Sequence, residues 1–261
     1  MALQLRKLVP YALAGWLPGG RRRCVLCGHR VWRFMPYRGG SSGVAPLMRA
    51  LDVVGSDVDH HECPRCGAHD RERHVLLYMQ ASGLMSKLGG MRILHFAPER
   101  RLGRVIAAQS PVAYEQCDLY PARAKIRKVD IQDMPFEDES LDLVLANHVL
   151  EHVDDDGRAV CEVFRVLAKG GYAILQTPYS RVLHQTWEDP GIVGEAARLH
   201  AYGQEDHVRL FGRDIFDRVV GSGLVSAVST HEALLPGVDQ RSAGVNPDEP
   251  FFLFRKPAGS G

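Results

Sequence analysis

The stretch Glu139–Pro178, ESLDLVLANHVLEHVDDDGRAVCEVFRVLAKGGYAILQTP, decides how this chain is read. Its opening, Leu141–Ala146, is apolar except for Asp142, which suits a strand covered on both faces of a parallel sheet. Asp154, Asp155 and Asp156 then begin a segment in which Val160, Val163, Phe164 and Leu167 fall on one helical face. Acids are favoured in a first turn, where the free amides concentrate positive potential. Lys169-Gly170-Gly171 reads as the stop of that helix, and Tyr172–Pro178 as the next strand.

The same alternation extends outward. MRILHFA (91–97) reads as a short buried strand, RRLGRVIAAQ (100–109) as a helix, and PVAYEQCDLY (111–120) as a strand ending in an acid. IRKVDIQDMPF (126–136) is a short edge segment. FGRDIFDRVVGSGL (211–224) is a late helix, and VSAVSTHEALL (225–235) with EPFFLFRKP (249–257) a closing strand pair. Strands alternating with helices predict an α/β, doubly wound sheet that takes ligands at the carboxyl ends of its strands.

The 261 residues are 45% hydrophobic and 24% charged, an ordinary globular composition with room for one sizeable domain and a smaller one. Net charge is +1, but it is unevenly spread: residues 1–89 carry 13 Lys/Arg against 6 Asp/Glu, the remainder 19 against 25. A basic head of 1–89 on an acidic body of 90–261 hints at a polyanionic partner. No apolar run reaches the roughly 20 residues of a membrane span. The start, MALQLRKLVPYALAGWLPGGRRR, holds Pro10 and Pro18 and ends in three arginines, so it reads as a packing helix rather than a leader peptide.

Four of the six cysteines form two pairs, Cys24-Val25-Leu26-Cys27-Gly28 and Cys63-Pro64-Arg65-Cys66-Gly67. Two residues between thiolates let one tight turn present both sulfurs to a single ion, and the following glycine permits the positive φ that turns the chain back. Two such turns make a Cys₄ zinc-ribbon-like module whose ion is structural, because four protein ligands leave no open position. A redox pair would be single and would adjoin a βαβ unit. Free thiolates as ligands imply a reducing, cytoplasmic setting. His29, His60, His61 and His69 are expected at the surface or behind the ligands, and Cys117 and Cys161 in the core.

The run Val129–Pro178 is similar to the central half of class I S-adenosylmethionine-dependent methyltransferases of the type 11 group. The likeness lies in Pro135-Phe136-Glu137-Asp138-Glu139-Ser140-Leu141-Asp142-Leu143-Val144, in Leu150-Glu151-His152-Val153, and in Arg165-Val166-Leu167 ahead of Gly170-Gly171. With the paired cysteines and His95-Phe96-Ala97-Pro98-Glu99, the chain resembles a bacterial subgroup of zinc-ribbon-bearing methyltransferases. The resemblance implies a Rossmann-like methyltransferase sheet and S-adenosylmethionine as cofactor. It implies a cofactor site of His95, Phe96, Ala97, Glu99, Asp118, Leu119, Asp130, Ile131, Asn147 and His148. Asp118, at a strand tip, is placed to accept from both ribose hydroxyls, and Asp130 from the adenine amine, with the backbone at Ile131-Gln132 against the ring. Laid against the family's glycine-rich loop, His95 stands at its acid while Ala97 and Glu99 replace glycines. Ala97 is small enough for close approach, and Glu99 is expected to hold the methionine ammonium.

Methyl transfer from a sulfonium needs in-line alignment and, for a protonated nucleophile, a base near neutrality. His148 and His207 are the expected catalytic bases. The insert of about 178–212 is polar and long, the composition of a pocket loop, and it offers Tyr179, His184, Glu188, Asp189 and Arg209 toward the substrate, Arg209 as an anion clamp. Asp206 reads there either as a further candidate or as a helix cap. The expected acceptor is a hydroxyl, amine or carboxylate of a small molecule, glycan or peptide intermediate. RNA held by the basic head is a weaker alternative, because Ala146-Asn147-His148-Val149 is not the N/D-P-P-Y/F that positions a nucleobase amine. A non-catalytic zinc adaptor on a degenerate fold is the third reading. A dehydrogenase would want G-x-G-x-x-G where HFAPE stands.

Overall fold

A computed structural model of the chain describes residues 2–259. The head runs through α1 (Ala2–Trp16), β1 (Arg22–Arg23), β2 (Arg30–Val31), α2 (Pro46–Ala50) and β3 (Val53–Val54), and α3 (Asp70–Ala81) follows. The body holds β4 (Arg92–Phe96), α4 (Arg100–Ala107), β5 (Ala113–Asp118), β6 (Arg127–Lys128), β7 (Leu141–Ala146), α5 (Asp156–Val166) and β8 (Leu167–Ile174). The insert adds β9 (Tyr179–Ser180) and α6 (Glu195–Tyr202). The chain closes through α7 (Ile215–Val220), β10 (Val225–Ser226), α8 (His231–Leu234), α9 (Gln240–Ala243) and β11 (Leu253–Arg255).

Seven strands form one sheet in the order β6-β5-β4-β7-β8-β11-β10. The five from β6 to β8 are parallel, whereas β11 runs antiparallel to both its neighbours. Alternate residues feed opposite faces, as the pleat requires. On one face Leu94, Val144, Ala146 and Ala173 meet Val160 and Val163 of α5 and Ile215 and Val219 of α7. On the other, Ile93, Leu143, Leu145 and Ile174 meet Val75, Leu76 and Met79 of α3 and Leu102 and Ile106 of α4. The doubly wound sheet expected from the sequence is therefore present.

Four local readings need correction. The segment α3, placed by sequence within the 1–89 head, packs into the body's second apolar layer, because its face of Val75, Leu76 and Met79 has no comparable core in the small head. Lys169-Gly170-Gly171 does not stop α5: the helix ends at Val166, Leu167 turns extended (φ −70°, ψ 131°), and the glycines lie within β8 beside a register shift opposite β7. Cys161 is exposed on the solvent side of α5, whereas Cys117 is buried. The closing pair is also shorter than expected, since Thr230 caps a helical turn at His231–Leu234 through its side chain.

Two of the joints between head and body are the most extensive in backbone bonding. Strand β3 pairs with β9 of the insert, Val53 opposite Ser180. The fully buried Arg73 of α3 donates to the carbonyls of His60, His61, Ala68, Ala243 and Gly244, joining the second cysteine turn to the C-terminal segment. The amino-terminal helix packs as expected: Tyr11 donates to Glu62 at 2.9 Å, and the Arg65 guanidinium lies 3.6 Å over the Trp16 ring. Among the described residues no helix is long and apolar enough to cross a membrane.

Candidate functional site

The chain leaves β4 toward β5 on one side and returns to β7 on the other, so the sheet's switch point lies between β4 and β7. Ligands of open α/β sheets bind outside the strand ends at such a crevice. The Phe96–Glu99 bend and Asn147 border it. Ala97 adopts φ +45°, the left-handed region a glycine would normally take, and its amide donates to the Cys117 carbonyl at 2.8 Å. An L-residue there costs about 1–2 kcal/mol. The bend thus keeps a glycine's backbone shape without a glycine.

Beneath it, His95 is fully buried between Tyr114 (Nδ1 to hydroxyl 2.8 Å) and Glu99 (Nε2 to Oε2 2.9 Å). The other Glu99 oxygen accepts from Asn147 Nδ2 at 3.1 Å. Burial pushes the Glu99 carboxyl up, but the bond and charge of His95, with Arg71 beyond, more than offset this and leave it below its ordinary value. Glu99 is therefore engaged from within the protein. Its neighbour Asn147 has an unpartnered acceptor: Oδ1 is buried without a hydrogen bond among the described residues. Arg71 of α3, which sequence reasoning missed, likewise has a buried Nε with no partner and lies near enough to Glu99 to stabilise its charge. A buried acceptor and a partly buried guanidinium, both beside Glu99, suit the ammonium and carboxylate of an amino-acid ligand.

Asp118 ends β5 at the same rim. Its Oδ1 accepts from the Tyr120 amide at 2.9 Å, and among the described residues no donor engages Oδ2. Leu119 beside it is 39% exposed, large for an apolar side chain and consistent with a flat face for a ligand. Asp130 follows β6 and closes its own turn, accepting from the Gln132 amide (2.9 Å) and side chain (3.2 Å). The Ile131 and Phe96 side chains belong to the core, which leaves only their backbone to a ligand.

The two predicted bases converge on a residue the sequence reading treated only as a family mark. Glu151 is fully buried, with Oε1 3.2 Å from His148 Nδ1 and 4.0 Å from His207 Nε2, while Oε2 accepts from Thr177 at 2.9 Å. Burial raises the Glu151 carboxyl, yet the surrounding imidazoles, His148 first, hold it down at about 2. Burial lowers His207 below its ordinary value. His148 takes φ +53°, a strained setting for a side-chain-bearing residue, and such strain gathers at working sites. On its far side Nε2 lies 3.8 Å from Glu249 Oε1, and Glu249 Oε2 lies 3.4 Å from His74 Nδ1. Nothing in the local sequence around Glu249 marks it; only the fold brings it here.

The insert residues disperse. Glu188, Asp189 and Arg209 line a cleft of about 690 Å³ with Asp154–Asp156, Arg198 and Arg218, at the amino end of α5 rather than at the crevice. Arg209 is 3% exposed and donates to the carbonyls of Leu150, Val153 and Asp154 and to Glu188, so it fixes the turn after β7 and is not a free anion clamp. Tyr179 packs edge-on against Phe216 and Phe252 in the core, away from any acceptor. His184 is exposed beside Arg213, and Asp206 faces His152 at 3.3 Å.

The four head cysteines come together. Cys24 and Cys66 sulfurs lie 3.8 Å apart, Cys27 and Cys63 sulfurs 4.0 Å, near the roughly 3.8 Å edge of a tetrahedron with 2.3 Å metal–sulfur bonds. Both turns repeat one pattern, with Gly28 and Gly67 amides donating to Cys24 and Cys63 carbonyls at 2.8 Å and φ near +73° and +72°. Cys63 and Cys66 hold the Cys24 thiol far above its ordinary value, because sulfurs this close cannot all ionise without a cation among them. Of the four nearby histidines, His61 is buried against Asp70 at 2.9 Å; none joins the cysteine cluster.

Residues 88–175 match the family described as "Methyltransferase domain". A probable S-adenosylmethionine-dependent methyltransferase of Mycolicibacterium smegmatis is 36% identical over 70 residues, covering 25% of this chain and 27% of that protein. A malonyl-[acyl-carrier protein] O-methyltransferase of Halorhodospira halophila is 29% identical over 104 residues, covering 40% and 33%. The chain thus spans about a quarter to a third of the length of these curated relatives. Among solved structures, the [4+2]-cyclase SpnF superposes with a TM-score of 0.51 at 14% identity, covering 78% of this chain and 85% of that one. The body has the Rossmann-like methyltransferase fold, a scaffold that by itself does not fix the chemistry.

Proposed function

We propose that this chain is an S-adenosylmethionine-dependent methyltransferase whose cofactor lies in the β4–β7 crevice. The observation that carries the reading is the pair of unpartnered buried atoms, Asn147 Oδ1 and Arg71 Nε, on residues that both neighbour Glu99, with an Asp118 oxygen at the adjoining strand tip that no described donor engages. In this reading Asn147 receives the methionine ammonium, Arg71 its carboxylate and Asp118 the ribose hydroxyls. The Glu99 carboxylate, held by His95, orients Asn147. Bound there, the cofactor supplies an electrophilic methyl group whose thioether leaves uncharged.

His148 is the base on this reading. Its Nε2 is buried without a hydrogen bond, and Glu151 Oε1, 3.2 Å behind Nδ1, balances the ring's charge when it takes the acceptor's proton. The acceptor in this reading is a hydroxyl, amine or carboxylate of a small molecule, glycan or peptide intermediate, and the malonyl-carrier O-methyltransferase relative supports the oxygen choice. The four cysteines hold a structural zinc in this proposal, with ligand spacing as the support. Calorimetry with S-adenosylmethionine and S-adenosylhomocysteine tests the reading. One site per chain is expected; no heat at millimolar ligand would favour the non-catalytic adaptor.

A further inference from the structure

Two acceptor atoms face each other in the interior: His207 Nε2 and Glu151 Oε1, 4.0 Å apart, both buried, neither hydrogen-bonded. The His207 ring carries its proton on the other nitrogen, because Nδ1 lies 3.0 Å from the Tyr202 backbone carbonyl, which can only accept. Facing lone pairs repel unless a proton, a water or a metal ion lies between them, and Glu151 Oε1 has His148 Nδ1 3.2 Å away on its other side. His152 completes the setting. Its ring stands edge-on to His207 with centroids 4.8 Å apart, and its Nδ1 is held from the solvent side by Asp206. One donor atom from each of Glu151, His152 and His207 lies within 4.8 Å of the other two.

We propose that these three side chains form a second metal site, built for a divalent first-row transition ion such as Zn²⁺ or Co²⁺ and independent of the cysteines. Each ligand is fixed from behind, as metal ligands usually are: His207 by the Tyr202 carbonyl, Glu151 by the Thr177 hydroxyl, His152 by Asp206. The frame is rigid as well. The Val208 amide donates to the Glu151 carbonyl at 3.0 Å, and Arg209 ties the 150–154 turn to the same segment. Tetrahedral ligation with bonds of about 2.1 Å asks for ligand atoms about 3.4 Å apart, so atoms now within 4.8 Å of one another close by at most about 1.4 Å per pair, and the His207–Glu151 pair at 4.0 Å by about 0.6 Å. Two imidazoles and a carboxylate leave one position of a four-coordinate ion open. An oxygen ligand, water or an acceptor hydroxyl or carboxylate, would fill it.

The test uses the full-length protein carrying its cysteine-bound zinc, freed of loosely held metal and titrated with Co²⁺. Thiolate-bound cobalt gives intense sulfur charge-transfer absorption, whereas nitrogen and oxygen ligands give only weaker visible bands. One equivalent with the weak spectrum alone is expected, displaced by added Zn²⁺. His152→Ala alters a partly exposed ring and should fold normally; it is expected to weaken that equivalent at least tenfold. His207→Ala should abolish it, and Asp206→Asn weaken it about ten- to hundred-fold through the lost orientation of His152. The proposal is overturned if the wild-type protein takes up no cobalt beyond the cysteine site. It is equally overturned if folded His152→Ala binds that equivalent as tightly as wild type. Because the readout is absorbance, its failure leaves the methyltransferase reading untouched.

Discussion

Replacing Asp118 with Ala separates a ligand-binding carboxylate from a turn-forming one. The structure gives this side chain one internal bond, from the Tyr120 amide to Oδ1 at 2.9 Å in an exposed turn, so the stability loss should be only about 0.5–1 kcal/mol. The ligand effect should be larger. Hydrogen bonds to a charged group contribute about 1.5–3 kcal/mol, and each 1.4 kcal/mol is tenfold in affinity. S-adenosylhomocysteine is therefore expected to bind about ten- to hundred-fold more weakly to the variant, with little change in thermal midpoint. Asp118→Asn keeps the turn acceptor while removing the charge and should fall between the two. Titration calorimetry beside a thermal melt reads both quantities. Affinity unchanged within threefold in a folded Asp118→Ala protein would refute the ribose role.

Ala97→Gly removes the cost of holding a Cβ at φ +45° but frees the unfolded chain, so a net gain of roughly 0.5 kcal/mol is expected by urea denaturation; a loss above 1 kcal/mol would mean the Ala97 methyl packs usefully. Cys63→Ser should release the zinc and expose the Cys24, Gly28 and Gly67 amides to rapid hydrogen exchange while the β4–β8 core stays protected; retention of full metal content would contradict the Cys₄ set. Burial lowers His69 to about 4, and lowers His207 and His231, so the unfolded chain binds more protons than the folded one below about pH 6.5. Stability should therefore be full above that pH and fall as pH drops toward 4, by about 2 kcal/mol for half-exposed His69 after solvent screening. His69→Asn should flatten that slope in urea melts at pH 6.5 and pH 5; an unchanged slope would show that His69 does not contribute.

The sheet was legible because its strands bury both faces: LDLVLA and RILHF can hardly be anything else, and the intervening acids start helices where they should. The Cys₄ cluster was legible because two short turns with following glycines impose their own geometry. What failed was whatever depended on partners distant in sequence. Arg209 looked like an anion clamp because a charged residue in a polar loop reads as free, yet three carbonyls of the turn after β7 engage it. Tyr179 looked available, and the aromatic cluster with Phe216 and Phe252 claims it. Lys169-Gly170-Gly171 carries a helix-stop signal that tertiary pairing overrode by drawing Leu167 into β8. Glu249, Arg71 and His74 were silent because their roles exist only once α3 and the C-terminal segment close over the crevice.

A crystal structure of the full-length protein with S-adenosylhomocysteine tests the central claim most directly. The account expects the amino-acid end against the Ala97 bend and Asn147, the ribose hydroxyls on Asp118, and the sulfur pointing toward His148. Density for the ligand away from the β4–β7 crevice, or a crevice left empty at saturating ligand, would contradict it.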